Sequence, residues 1–266
     1  MLLLVVPSDA VASPPLFVEL ASHPVRWQLL TALAVSDYRV RELVAHCGQP
    51  QNLVSYHLGL LRRGGLVTAT RSSYDGRDSY YRLEVDRCAD GLAQTAGALH
   101  PCLTQYEASR RVAHRRRRSR PAVVLFVCTG NSVRSPMAEA LLRQRCPDGV
   151  TVISAGTRPK PQLHPDAVRV LRDEFGIDAA GQQPRHLGAV SRRRFDHVIT
   201  LCDKAKEACP PFVGSPRRSH WSIPDPASVR GDGAPGYLAF RRVAEAIDAR
   251  VRHLVPVLIP TADQGA

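Results

Sequence analysis

Five strand-forming residues, Val123 to Val127, run straight into Cys128. A short polar loop of Thr129, Gly130, Asn131, Ser132 and Val133 then leads to Arg134 and Ser135, after which Met137, Ala140 and Leu141 recur at helical spacing. A strand, a loop and a helix start in this order leave few folds open. The arrangement surrounds one sulfur with backbone N–H groups and the positive end of a helix dipole. Such a cradle suits a tetrahedral oxyanion and favours the thiolate form of Cys128. Arg134 adds a planar fork that matches the same anion through two parallel hydrogen bonds. The implied chemistry is thiolate attack on phosphate, or on a phosphate mimic, held by the loop from Thr129 to Ser135. In the plainer alternative, Cys128 merely ends a core strand.

At 266 residues, the chain is long enough for two domains with cores of their own. A hydrophobic content of 44% points to a soluble globular protein. The apolar run from Met1 to Val6 is too short to span a membrane and lacks a basic region before it. The expectation is a cytoplasmic protein whose first 14 residues are frayed. Seven cysteines, an odd number, do not make a disulfide framework, so free, reactive or metal-binding thiols are expected. The net charge of +12 is unevenly placed: seven arginines fall between residues 110 and 120. Residues 109–121 therefore read as a linker, either a solvated tether or a contact for a phosphate backbone.

Before that linker, the apolar residues Leu16, Phe17 and Leu20, then Val25, Leu29, Leu30 and Leu33, fit two helices separated at Ser22-His23-Pro24. A short helix is predicted over 40–46, a tight turn at Cys47-Gly48-Gln49, and a helix from Pro50 to Arg63 with Leu53, Val54, His57, Leu58 and Leu61 inward. Strand-like runs at 66–70 and 80–85 flank a hairpin signal at Asp75-Gly76. A weaker helical pattern, with Leu92, Ala96, Leu99, Leu103 and Tyr106, covers 92–112 and is interrupted at Pro101. Helix, turn, helix and β-ribbon make a winged helix-turn-helix domain over residues 15–108.

Ser22-His23-Pro24-Val25-Arg26 and the run from Val54 to Val67 resemble the ArsR family of metalloid-responsive repressors. The resemblance implies a homodimer on double-stranded DNA, with the second helix of the pair in the major groove and the wing on the flanking backbone. By position, Gln51, Asn52, Ser55 and Tyr56 would face the groove and Arg71 and Arg77 would lie on the wing. In that family a Cys-x-Cys often senses metal in the helix before the turn, but no cysteine stands in Arg39 to Leu43. Cys47, Cys88 and Cys102 are the remaining soft ligands, and no metal site is assigned.

From residue 122 to 260 strands and helices alternate, which implies an α/β domain with a four-stranded parallel sheet and the Cys128 loop at a strand's carboxyl end. Strands are predicted at 150–154, 197–201 and 220–222, and helices at 136–145, 165–175, after Cys202 and at 237–254. The Cys-x5-Arg-Ser loop and the later Trp221-Ser222-Ile223-Pro224-Asp225-Pro226 resemble the low-molecular-weight protein tyrosine phosphatase superfamily over residues 122–256. In its phosphatases an Asp-Pro of this kind supplies the general acid and an aromatic usually follows it; here Asp225-Pro226 is followed by Ala227.

The segment from Val198 to Pro210 resembles the redox segment of thioredoxin-coupled arsenate reductases. That resemblance implies that Cys128 attacks arsenate, Cys202 releases arsenite by attacking Cys128, and Cys209 captures Cys202. Thioredoxin, or a similar thiol donor, would then reduce the disulfide, and no tightly bound cofactor is needed. Seven helical residues rise about 10 Å, whereas disulfide-bonded Cα atoms lie within roughly 7 Å, so the segment must unwind on oxidation. Relatives that bind potassium beside the loop use an Asn and a Glu, matched by Asn131 and Glu139, but Gln183 and Arg185 stand where they carry Thr and Asp. Three readings stay open: an arsenate reductase fused to a DNA-binding regulator, a tyrosine phosphatase with the same appendage, and a regulator that senses an oxyanion or redox state without turnover.

Overall fold

The computed structural model describes residues 13–72, 74, 76–100, 102–103, 120–147, 149–228 and 236–259. The first 14 residues, expected to fray, fall almost entirely outside the described ones, as does most of the arginine linker. Arg120 lies inside them and forks onto Asp196 at 2.8 Å and 3.3 Å, so it belongs to the second domain.

Helices α1 (Leu16–Ala21) and α2 (Pro24–Val35) break where expected. The His23 ring accepts the Val25 N–H and Pro24 fills a first-turn position whose N–H needs no partner. Helix α3 (Val40–Cys47) stops at Gly48, whose φ of 62° is cheap only for glycine, and α4 (Gln51–Arg63) follows. Val54, His57, Leu58 and Leu61 of α4 are buried with Leu29 and Leu33 of α2 and Leu43 of α3, while Leu53 is half-buried. Strands β2 (Val67–Arg71) and β3 (Ser79–Leu83) form the wing. A two-residue strand, β1 (Tyr38–Arg39), pairs with β3; two residues carry no periodicity, and the sequence reading missed it.

The second wing strand ends at Leu83 rather than Val85. Glu84 N–H donates to Leu66 O at 2.9 Å, and Val85 opens helix α5 (Val85–Leu99), seven residues earlier than the apolar pattern suggested. The pattern failed because α5 buries no residue fully: it packs on α1 and leaves Leu92 and Leu99 exposed.

The second domain contains β4 (Ala122–Cys128), α6 (Arg134–Arg145), β5 (Val150–Gly156), α7 (Pro165–Phe175), β6 (His197–Thr200), α8 (Asp203–Ala208), β7 (Arg217–His220) and α9 (Tyr237–Leu258). Its sheet has the order β5-β4-β6-β7, with every pair parallel. Val124 to Cys128 are buried without alternation, as a strand covered on both faces requires. Strand β7 lies three residues before its expected start because Arg217 and Arg218, on the sheet's edge, are exposed and give no apolar signal. Helix α9 continues past Leu254 and through Pro256, drawn on by the fully buried Leu258. Among the described residues no helix is long and apolar enough to cross a membrane.

An open sheet edge invites pairing with another chain. Here the first domain covers β7. Asp37 N–H donates to His220 O and His220 N–H to Ser36 Oγ, both at 2.8 Å. The buried Asp37 carboxylate accepts the Ser222 N–H at 2.8 Å and both prongs of Arg250 at 2.8 Å and 3.0 Å. Partners of this kind offset the hydration a carboxylate loses on burial. The domains are therefore docked as well as linked.

Candidate active site and DNA-binding face

Strand β4 delivers Cys128 to the floor of an open cavity of about 1230 Å³ at the carboxyl end of the sheet. The loop arches over the sulfur before Arg134 begins α6. Asn131 N–H donates to Cys128 Sγ at 3.2 Å, and Ser135 Oγ lies 3.0 Å from it. Asn131 has a φ of 45°, a left-handed conformation its side chain secures. Its amide donates to Ser135 Oγ and Ser154 Oγ, each at 2.9 Å, and its carbonyl accepts the Arg185 N–H at 2.6 Å. Gly156 lies beneath, where a Cβ would come within 2.7 Å of Thr129 O.

Arg134 is aimed by two acceptors. Its Nη1 donates to Ile223 O at 3.1 Å and its Nη2 to Asp225 Oδ2 at 3.0 Å. Its Nε is buried and meets no hydrogen-bond partner among the described residues. Buried donors rarely stay unpaired, and an oxyanion in the loop would satisfy this one. Arg158, Lys160 and Lys204 line the same cavity and make it an electropositive funnel. None of the three was read as a site residue: Arg158 and Lys160 belong to no motif, and Lys204 stands in the redox segment without a role assigned to it. Asp225 is committed to Arg134 and to the Ala227 N–H at 3.2 Å, so in this geometry it positions the guanidinium.

Burial is the largest influence on the Cys128 thiol and pushes its pKa up, while the Arg134 guanidinium and the Ser135 hydrogen bonds act the other way. The simple expectation of a thiolate-favouring cradle therefore meets an opposing desolvation cost.

Cys202 is buried beside the start of the loop, its Sγ 3.3 Å from Thr129 Oγ1, and it lines the cavity with Cys128. Cys209 stands at the other end of α8, half-buried, its thiol pushed up by burial against the pull of Arg218. All seven cysteines are free thiols.

Of the potassium ligands implied by resemblance, Asn131 and Glu139 do come together, bridged by Ser154 Oγ, but they meet guanidinium groups there. Glu139 is buried and accepts hydrogen bonds from Ser154 Oγ at 2.5 Å, Gln182 Nε2 at 2.7 Å and Arg143 Nη2 at 2.5 Å, with Arg185 Nη1 3.9 Å away. With Arg143 and Arg185 both beside this carboxylate, the residues present do not fit potassium.

On the first domain Gln51, Asn52, Ser55 and Tyr56 are exposed along one face of α4, and Arg71 and Arg77 are exposed on the wing. Arg71 Nη1 donates to Gly76 O at 2.9 Å across the wing turn. Cys47 and Cys88 are half-buried against the domain's core, and Cys102 is exposed. Burial and Glu84 push the Cys88 thiol up to about 11, and burial raises Cys47. The described residues hold no metal-ligating cluster of three. Two further residues of the site went unread in the sequence: Tyr74 of the wing lines the cavity, and Asp203, beside Cys202, is a buried hub. Burial opposes ionisation of that hub, yet hydrogen bonds from His220, Ser72 and Ser222 hold the Asp203 carboxyl at about 2.

A strand-end cysteine under an arginine-bearing loop, on a four-stranded parallel sheet, defines a phosphatase-like oxyanion domain, here carrying a winged helix-turn-helix. Residues 123–262, more than half of the chain, match the low molecular weight phosphotyrosine protein phosphatase family, and the chain belongs to it. Residues 23–69 match the bacterial regulatory protein arsR family. Among curated proteins, arsenate reductases of Shouchella clausii and Bacillus subtilis are each 35% identical over 130 residues, which is 49% of this chain and 92% of theirs. A solved arsenate reductase from Archaeoglobus fulgidus is 31% identical, with a TM-score of 0.41 over 50% of this chain and 98% of that one.

Proposed function

We propose that the protein reduces arsenate to arsenite through Cys128, Cys202 and Cys209, and that its first domain binds DNA as a dimeric regulator. The observation that carries the reductase reading is Cys202, buried against the oxyanion loop with its sulfur 3.3 Å from Thr129 Oγ1. Ester hydrolysis has no use for a second thiol there.

In the proposed reaction, the loop N–H groups and Arg134 hold arsenate, and Cys128 Sγ displaces one oxygen as water to form an S–As bond. Cys202 attacks Cys128 Sγ; the S–As bond breaks, its electron pair stays on arsenic, and arsenite leaves. Cys209 then attacks Cys202, which frees Cys128 as the leaving thiolate. An external dithiol such as thioredoxin reduces the Cys202–Cys209 bond. Exposed Gln51, Asn52, Ser55 and Tyr56 support base reading by α4, with Arg71 and Arg77 on backbone phosphates. The exposed Leu92 and Leu99 of α5 support pairing with a second copy.

One observation favours a second reading, aryl-phosphate hydrolysis. Tyr74 stands at the cavity mouth, an aromatic supplied by the wing where the segment after Asp225-Pro226 offers only Ala227. Purified protein should be assayed for arsenite formation with thioredoxin, thioredoxin reductase and NADPH, and separately for hydrolysis of an aryl phosphate. Many arsenite per protein chain supports the reductase. Hydrolysis with no arsenite formed would replace it by the phosphatase, and neither activity would leave the regulator without turnover.

A further inference from the structure

Helix α8 is six residues long, and Cys202 and Cys209 cap its two ends. At about 1.5 Å per residue the two sulfur-bearing residues stand roughly 10 Å apart along the axis, so a disulfide between them requires α8 to unwind. The DNA-binding domain grips that helix. Ser72, at the start of the wing turn, donates to Asp203 Oδ2 at 2.7 Å. Lys206 Nζ reaches both oxygens of Glu42, in the first turn of α3, at 2.7 Å and 3.0 Å. Glu207 pairs with Arg39, the residue preceding α3, at 3.0 Å. Lys206 also lies over the ring of Tyr80 in β3, 4.7 Å from its centroid. Arg39 extends the network to Asp78 of the wing at 3.3 Å.

We infer that the reduced α8 is a brace for the DNA-binding domain, so that closing the Cys202–Cys209 disulfide releases the wing and α3 and weakens DNA binding. The inference rests on the relay proposed above. Closure removes two electrons and two protons from the two thiols; arsenate takes the electrons, becomes arsenite and loses one oxygen as water. Unwinding α8 pulls Asp203, Lys206 and Glu207 away from Ser72, Glu42 and Arg39, whose positions set the wing relative to α4. A wing that must be ordered anew costs affinity, because DNA then bears the ordering entropy. Coupling of this kind is reciprocal: DNA seated on α4 and the wing opposes closure to the same extent. Arsenate itself, through turnover, would then loosen the protein from DNA without a metalloid site in the first domain.

The test uses the full chain and a duplex selected from a random pool by the reduced protein, with binding followed by fluorescence anisotropy at one fixed salt concentration. Reduced protein is compared with protein treated with stoichiometric arsenate, in which mass spectrometry of peptides reports the disulfide. Closure should weaken binding about tenfold, the scale of losing one buried hydrogen bond and one half-buried ion pair. Cys209→Ser, in which arsenate can join only Cys128 to Cys202 and α8 stays helical, should bind equally before and after treatment. The double substitution Glu42→Gln with Ser72→Ala should close its disulfide about tenfold faster and hydrolyse aryl phosphate at the parent rate. A confirmed disulfide with unchanged DNA affinity would overturn the coupling and leave the relay standing. No disulfide after arsenate treatment would overturn the relay, and the coupling with it.

Discussion

Replacing Asp203 with asparagine tests the hub on which the domain interface and α8 both depend. The carboxylate is 2% exposed and accepts three hydrogen bonds, from Ser72 Oγ at 2.7 Å, Ser222 Oγ at 2.8 Å and His220 Nε2 at 3.1 Å. These lower its pKa from an ordinary 3.8 to about 2 in spite of burial. Each tenfold change in proton affinity is worth about 1.4 kcal/mol, so ionised Asp203 contributes about 2 kcal/mol more than the protonated acid. Because the folded value is the depressed one, that contribution is complete above pH 3.8 and disappears as the pH falls toward 2. Asparagine has no such titration. The assay is urea unfolding followed by fluorescence of the buried Trp221, in a Trp27→Phe background that silences the exposed second tryptophan. The stability difference between parent and Asp203→Asn should be larger at pH 6 than at pH 2 by about 2 kcal/mol. Parallel pH profiles for the two proteins would refute the assignment of Asp203 as an ionised hub.

Arg134→Lys should lose about 10²-fold in both arsenate and aryl-phosphate turnover, since a point charge cannot replace the fork aimed by Ile223 and Asp225; unchanged phosphate affinity by calorimetry would contradict that role. Cys209→Ser should release about one arsenite per chain and then stop, and Cys202→Ser should release none. Repeated thioredoxin-driven turnover by Cys209→Ser would break the three-thiol scheme. Replacing Gln51 and Asn52 together with alanine should cost at least about tenfold in sequence-specific DNA affinity while leaving the salt dependence of non-specific binding unchanged, as titrations at several salt concentrations will show. Leu92→Glu with Leu99→Glu should convert a dimer to a monomer in sedimentation equilibrium, and an unchanged dimer would place the interface elsewhere.

Local pattern alone determined much of this protein. The run into Cys128, the turn at Gly48, the proline start of α2 and the apolar face of α4 each carry their signal within a few residues, and each formed where it was read. The oxyanion loop was equally legible, because one strand, one loop and one helix start build it. Elements whose stability comes from elsewhere were not. Strand β1 exists only because β3 pairs with it, α5 begins early because Glu84 N–H finds Leu66 O, and β7 is polar because it is an edge. The same holds for the site. Arg158, Lys160 and Tyr74 reach the cavity from segments distant in sequence, and Arg185, which departs from the cation ligands of the relatives, brings a guanidinium within 3.9 Å of Glu139. The docking of the two domains was beyond any sequence reading. Ser72 and Asp203 are 131 positions apart, and Asp37 and Arg250 are 213 apart. Isolated polar residues of this kind have no period, and only burial in a shared interface joins them into a network.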